Sequence, residues 1–584
     1  MVFLFEDTRG ARPRLRFLRS GGALSWADVF AFLLLAAAAV LVVHGAGQMS
    51  QPLAQLDVAP VVLDPANLPE YALRTTLRMF AALAASLVFT FTVAMLAARS
   101  RKAEMVIIPA LDILQSVPVL GFLTFTVTFF MGLFPGRQLG AECAAIFAIF
   151  TSQAWNMAFS FYQSLRTLPK DLTEVSRQFG FSPWLRFVRL EVPFATPGLV
   201  WNIMMSMSGG WFFVVASEAI TVGDTTVALP GIGSWLALAI AQRDVAAVGW
   251  AVAAMAVVIG LYDQLVFRPV VAWADKFRFE QTASQQRPRS WLYDLVRRTR
   301  LMRRLLAPFG WPLRWLAAIP RPHLPPLPRL RISAATGRLL DRLWLGVVIL
   351  AVAWAVWLVA GFIATSLHWS DVLAAFGFGL ATLARVVVLI AVASLIWVPI
   401  GMWIGLRPAW AGRVQPLAQF LAAFPANVLF PFAVTAIVVW RLDPDIWLSP
   451  LMVLGTQWYI LFNVIAGAGA IPTDMREAAS IYGIRGWQWW RQLGLPGIFP
   501  YYVTGALTAS GGSWNASIVA EAVSWGDRHV EAAGLGAFIA RATEAGDFPR
   551  VALGIAVMSI FVIAFNRILW RPLYGFAERR LRID

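Results

Sequence analysis

The sequence predicts an all-α, polytopic membrane protein of two parallel six-helix halves, with about twelve transmembrane helices. Three observations carry the prediction. Hydrophobic residues make up 59% of the 584 and charged ones only 14%, the mean hydropathy is +0.67, and several apolar runs reach the ~20 residues that a helix needs to cross a bilayer. The landmarks of the first half recur in the second at a fixed spacing. Basic charge is gathered into a few segments instead of being spread along the chain.

Hydropathy places spans near residues 27–45, 72–98, 105–132, 141–163, 196–222 and 246–272, then near 343–364, 375–406, 414–440, 447–467, 499–523 and 549–572. The first follows a basic stretch, as a signal peptide would, but its length and its counterpart at 343–364 favour a retained helix. The domains that follow are 1–275, with six spans, and 342–584, with six more. Between them, residues 276–341 form a basic linker, proline-rich towards its end. Its middle, Trp291 to Leu306, alternates Trp, Leu and Val with arginine clusters. Two roles fit it: an amphipathic helix on an anionic membrane surface, or a solvated tether.

The repeat justifies the division. From Pro169/Pro472 to Arg268/Arg571 the offset is 303 residues without a gap, through Trp184/Trp487, Gly209/Gly512, Trp211/Trp514, Glu218/Glu521, Gly231/Gly534, Gly233/Gly536 and Asp244/Asp547. Further upstream it becomes 307, pairing Pro109 and Pro118 with Pro416 and Pro425. Six crossings return the chain to its starting side, so the repeats are parallel rather than inverted.

The formal net charge of +16 is a topological signal. Fourteen Lys/Arg against three acids lie between Lys276 and Asp341, and five arginines precede residue 20, whereas Gly47 to Glu70 holds three acids and no base. That is the asymmetry of cytoplasmic and external loops, and it needs no nucleic acid. A single cysteine, Cys143, excludes an intrachain disulfide, and four scattered histidines offer no metal-ligand spacing.

Two polar stretches interrupt the apolar runs at matched positions: residues 169–193 and 472–496. Each begins D-x-x-E, Asp171 to Glu174 and Asp474 to Glu477, after a proline, and predicts a short helix opened by a capping box. Gly180 and Gly483 then permit a left-handed turn. Trp184, Trp487, Trp489 and Trp490 suit the headgroup layer.

The stretch "REAASIYGIRGWQWWRQLGLP" resembles the EAA loop of permease subunits of binding-protein-dependent ABC importers. "TEVSRQFGFSPWLRFVRLEVP" resembles it too, departing at Val175 and Ser176 where Ala-Ala is usual. The resemblance implies two fused type I importer permease domains, most like the nitrate/sulfonate/taurine group, carried by "VVASEAITVG" with "LPGIGSWL" and "SIVAEAVSWG" with "AAGLGAFI". It implies that Glu174, Gly180, Glu477, Ala478, Ala479 and Gly483 couple the membrane helices to two ABC ATPase subunits. An extracytoplasmic solute-binding protein, a bacterial inner-membrane location and cytoplasmic termini are also implied. With no G-x-x-x-x-G-K-[ST] and only three lysines, the chain is not itself the ATPase; ATP and Mg are expected on the partners, and no cofactor or metal on this chain. The cargo it implies is a small anion, of nitrate, sulfonate, taurine or bicarbonate type, moved by alternating access. A major-facilitator-type secondary transporter shares the twelve helices and basic central loop but leaves the repeated polar helices unexplained.

Glu218 and Glu521 are intramembrane carboxylates, which are costly unless paired or functional. They fit a gate, or a structural role holding the following G-x-G turn. Neutral donors suit a passing anion better: Gln153 with Trp155, Gln457 with Trp458, Trp211, Trp514 and Asn515, each of which also fits a helix-packing contact. Pro118 and Pro425 are expected to kink the third span of each half.

Overall fold

The computed structural model describes residue 40 and residues 61–116, 123–222, 225–277, 290–299, 334–364 and 366–580. The chain is nearly all helical. In the first half come α1 (Leu68–Arg99), α2 (Arg101–Ser116), α3 (Leu123–Leu133), α4 (Leu139–Arg166), α5 (Lys170–Gln178) and α6 (Val192–Glu218). A hairpin of β1 (Ala219–Val222) and β2 (Thr225–Ala228) leads to α7 (Ile232–Ala241) and α8 (Val245–Tyr262). After α9 (Trp291–Arg298) in the linker, the second half runs through α10 (Ala334–Ala364), α11 (Trp369–Gly405), α12 (Pro408–Ala422) and α13 (Phe430–Trp440). It continues with α14 (Pro444–Leu454), α15 (Gln457–Ala470), α16 (Thr473–Ile481) and α17 (Leu495–Ala520). The hairpin of β3 (Ala522–Trp525) and β4 (Arg528–Glu531), then α18 (Leu535–Glu544) and α19 (Phe548–Phe565), complete it.

Among the described residues, six continuous helices and two bent pairs are long and apolar enough to cross a membrane. The expected span at 27–45 lies outside the described residues apart from position 40, and so does Pro118. Two spans are broken: the one near 414–440 bends by 74° between α12 and α13, and the one near 447–467 bends by 45° between α14 and α15. The described residues of the span near 105–132 are those of α2 and α3. Pro425 sits at the sharper elbow with ψ 134, an extended conformation that no helix interior tolerates.

Two spans end early. The helices near 196–222 and 499–523 stop at Glu218 and Ala520, and Ala219–Val222 and Ala522–Trp525 are strands. Hydropathy does not distinguish these apolar, partly β-branched residues from helix. Cross-strand pairing does: Ala219 faces Ala228 and Ala522 faces Glu531.

A shared irregularity marks both halves. The Val192, Arg268, Leu495 and Arg571 amides donate to the carbonyls of Phe187, Asp263, Trp490 and Asn566, five residues back instead of four. In each case the next residue is proline: Pro193, Pro269, Pro496 or Pro572. A proline ring crowds the carbonyl four residues earlier and supplies no amide, and a widened π turn relieves both conflicts.

The halves adjoin at their hairpin ends, where β1 lies by α18 and β3 by α7. Since α6 and α17 each run about 40 Å from polar loop to hairpin, α5 and α16 share the opposite face. Midway, Trp201 and Met205 of α6 pack on Ile404, Ala418 and Leu461 of the second half. Within the second half, Gly405 lies against the Ile465 carbonyl and Gly505 against that of Tyr459, close approaches that only small residues allow.

Candidate functional site

The repeated polar helices are alike in detail. α5 and α16 each span nine residues, with Pro169 and Pro472 in extended conformation before them. The expected capping boxes are absent. Each proline takes the N-cap position and offers no side-chain acceptor, so Asp171 and Asp474 fall inside the first turn, where they complement the helix dipole. The C-termini close as anticipated at Gly180 and Gly483, both at φ +67. Phe181 N donates to the Ser176 carbonyl at 3.0 Å and Gly180 N to Arg177 at 2.9 Å; Ile484 to Ala479 and Gly483 to Ser480 repeat the pair at 2.9 and 3.1 Å. These are matched Schellman motifs.

Ser176 and Ala479 face inward, while Glu174, Glu477 and Ala478 are exposed. At the tips, Phe179 is 76% and Tyr482 81% exposed, with Ile481 and Trp487 beside the latter. These apolar groups stand uncovered on an otherwise charged, polar loop.

At the far ends of α6 and α17 lies a second matched pair of sites. Glu218 Oε1 accepts from Arg78 Nη1 and from Thr75 Oγ1, both at 2.7 Å, and Oε2 accepts from the Gly233 amide at 2.6 Å. Arg78 turns its other edge to Glu142 in a bidentate pair at 2.5 and 2.6 Å. The Thr75 hydroxyl also accepts from the Ile232 amide. In the second half, Glu521 accepts from Arg385 Nη1 at 3.0 Å, Thr382 Oγ1 at 2.8 Å and the Gly536 amide at 2.7 Å. Arg385 pairs with Asp445 at 2.8 Å.

Each carboxyl group accepts from an arginine, a threonine hydroxyl and a backbone amide. Two acids share each arginine, and the cluster lies at the N-terminus of α7 or α18, whose dipole favours a negative group there. Gly231 and Gly534 are required: a Cβ on either would collide with the carboxylate that covers it. Each cluster thus ties the second span, the fifth span and the short helix after the hairpin into one unit.

The other singled-out residues lie elsewhere. Gln153 is buried, its amide 3.5 Å from Met207 Sδ, and Trp155 packs edge-on against Phe89. Trp211 donates to the Tyr262 hydroxyl at 3.1 Å; Trp514 stacks on Phe561, and its N–H meets no acceptor among the described residues, the counterpart of Tyr262 being Phe565. Gln457 accepts from Trp397, against which Trp458 packs at a tilt, and Asn515 donates to the Gly511 carbonyl. In the linker, α9 packs on the helix after α8, with Leu292 buried and Lys276 over the Tyr293 ring at 5.3 Å.

Arg78, Thr75 and Glu142, with Arg385, Thr382 and Asp445, were missed from sequence, although the signal was present. Thr-x-x-Arg recurs at the 307 offset that matches the prolines, and Glu142/Asp445 obey the 303 offset.

Comparison with known proteins agrees with this architecture. The family of the binding-protein-dependent transport system inner membrane component matches twice, at residues 90–267 and 397–583. The nitrate import permease protein of Leptolyngbya laminosa is 26% identical over 204 residues, 35% of this chain and 68% of that protein. The bicarbonate transport system permease protein of Synechococcus elongatus is 29% identical over 147 residues, 25% of this chain and 51% of its own length. The glycine betaine/proline betaine permease protein of Escherichia coli is 30% identical over 137 residues, 23% of this chain and 36% of that protein. With its two family matches and apolar helices, the chain is a multi-pass inner-membrane transport component and belongs to the binding-protein-dependent transport system inner membrane component family.

Proposed function

We propose that the chain is the membrane-spanning translocation subunit of an ATP-driven importer of a small anion, with two permease domains fused in one polypeptide. The observation that carries this is the pair of Schellman-closed helices α5 and α16, exposed on one face with uncovered apolar tips. Two ATPase subunits would seat there, one per helix, with Glu174, Gly180, Glu477, Ala478, Ala479 and Gly483 forming the contact. A solute-binding protein would deliver cargo to the opposite face, and both termini would be cytoplasmic. The nitrate and bicarbonate relatives support an anion as cargo. Closure of the ATPases would draw α5 and α16 together; α6 and α17 would carry that movement to the hairpin ends, and hydrolysis would reset them.

The test is co-purification with the candidate ATPase, followed by hydrolysis and uptake in nanodiscs and proteoliposomes. Glu174→Ala with Glu477→Ala should release the ATPase or uncouple hydrolysis from uptake by about tenfold or more. A wild-type chain that binds no ATPase and still transports would overturn the proposal.

A further inference from the structure

α7 and α18 end in the same backbone turn, with different residues at its left-handed position. Asp244 N bonds back to Ala239 and Arg243 N to Ile240; Asp547 N bonds to Ala542 and Gly546 N to Thr543. The residue in the left-handed conformation is Gly546 at φ +66 in the second half and Arg243 at φ +56 in the first. Glycine is the default there, and arginine takes a backbone conformation that a Cβ disfavours. Its side chain explains its presence. Arg243 Nη2 lies 2.8 Å from Asp527 Oδ2, in the turn between β3 and β4 of the other half. The Gly526 amide donates to the Ile240 carbonyl at 3.1 Å, and a Cβ on Gly526 would strike Arg243.

The second half lacks the arginine that a reciprocal pair would need. Asp224 is the sequence counterpart of Asp527, but Gly546 has no side chain with which to meet an acid. The pair is also open to water: the Arg243 side chain is 40% and that of Asp527 97% exposed. Pairs of this kind are weak. A contact that must break in every cycle should be weak, whereas the buried clusters at Glu218 and Glu521 keep each hairpin base fixed to its helix.

We propose that Arg243 and Asp527 are gate-positioning residues: a one-sided latch that holds the two halves together on the face opposite α5 and α16 until ATPase closure opens it. This rests on the importer reading above. Arg243→Gly is the informative variant, since it copies Gly546, suits the backbone and removes only the latch. Asp527→Asn removes the other partner, and Arg243→Asp with Asp527→Arg reverses the pair.

Two readouts separate the claims. Hydrogen exchange in peptides covering 522–531, on the chain alone in nanodiscs, should rise about threefold in either single variant and return in the reversed pair. Substrate-independent ATP hydrolysis by the assembled complex should rise by a similar factor and also return. Unchanged exchange overturns the latch. Faster exchange with unchanged hydrolysis overturns it as a gate and leaves a mere brace. If no ATPase assembles on wild type, the importer reading fails and the gate with it, while exchange still reports whether the pair joins the halves.

Discussion

The two halves repeat the same order of elements, yet the charge clusters at their hairpin ends are sealed to different degrees. In the first, the side chains of Arg78, Glu142 and Glu218 are all fully buried. In the second, Asp445 replaces Glu142, its side chain is 51% exposed, and it also accepts from the Ala533 amide. The same three-way pairing is therefore buried throughout in one half and open to water at one of its acids in the other. A buried arginine between two carboxylates cannot be removed without stranding both, whereas water can take over part of its role at a rim. The second half therefore has the more hydrated hairpin base.

That difference gives the largest expected effect. Arg78→Met should destabilise the chain by about 3–5 kcal/mol, enough to abolish assembly in many membrane proteins. Arg385→Met should cost about half as much, because Asp445 stays hydrated. Thermal unfolding in nanodiscs, followed by tryptophan fluorescence, checks both; equal losses would mean that exposure of the acid does not separate the clusters.

A smaller effect concerns the middle of the bundle. Trp211 has a partner in Tyr262, while Trp514 has a buried N–H without one beside Phe565. Tyr262→Phe should make the first half resemble the second, lowering stability by about 1 kcal/mol through the lost hydrogen bond. A wild-type unfolding midpoint in this variant would show that the bond contributes nothing net.

What was legible in the sequence follows from the range of each interaction. α5 and α16 were visible because their caps, glycines and prolines act within a dozen residues. The capping boxes were misplaced because Pro169 and Pro472 compete for the N-cap, a choice that the D-x-x-E pattern alone does not decide. Glu218 and Glu521 stood out as buried charges, but their arginine partners lie 140 and 136 residues away, beyond any local pattern. The repeat itself could have supplied them. The hairpins were hidden because Ala219–Val222 and Ala522–Trp525 are as apolar as the helices they follow. The π turns were legible in principle, since each precedes a proline that continues a helix instead of ending it.

The smallest effect tests how each polar helix is joined to its span. In the first half the π turn is braced by charge: Glu191 pairs with Arg186 at 2.9 Å and with Arg99 at 3.1 Å. The counterparts of these residues are Gly494, Trp489 and Leu406, and the second half is braced by packing, with Trp489 lying over Gly494 where a Cβ would meet its ring at 2.7 Å. Salt discriminates between the two. Raising ionic strength so that the screening length falls from about 10 Å to about 3 Å weakens partly exposed ion pairs and leaves apolar contacts intact. Hydrogen exchange in peptides covering 170–186 should therefore rise about twofold in high salt, while 473–489 holds constant. Glu191→Gln should abolish the salt response of the first arm, and Trp489→Ala should loosen the second at every salt concentration. An equal response in both arms would mean that the ion pairs are ornamental and that packing carries the motion in both halves.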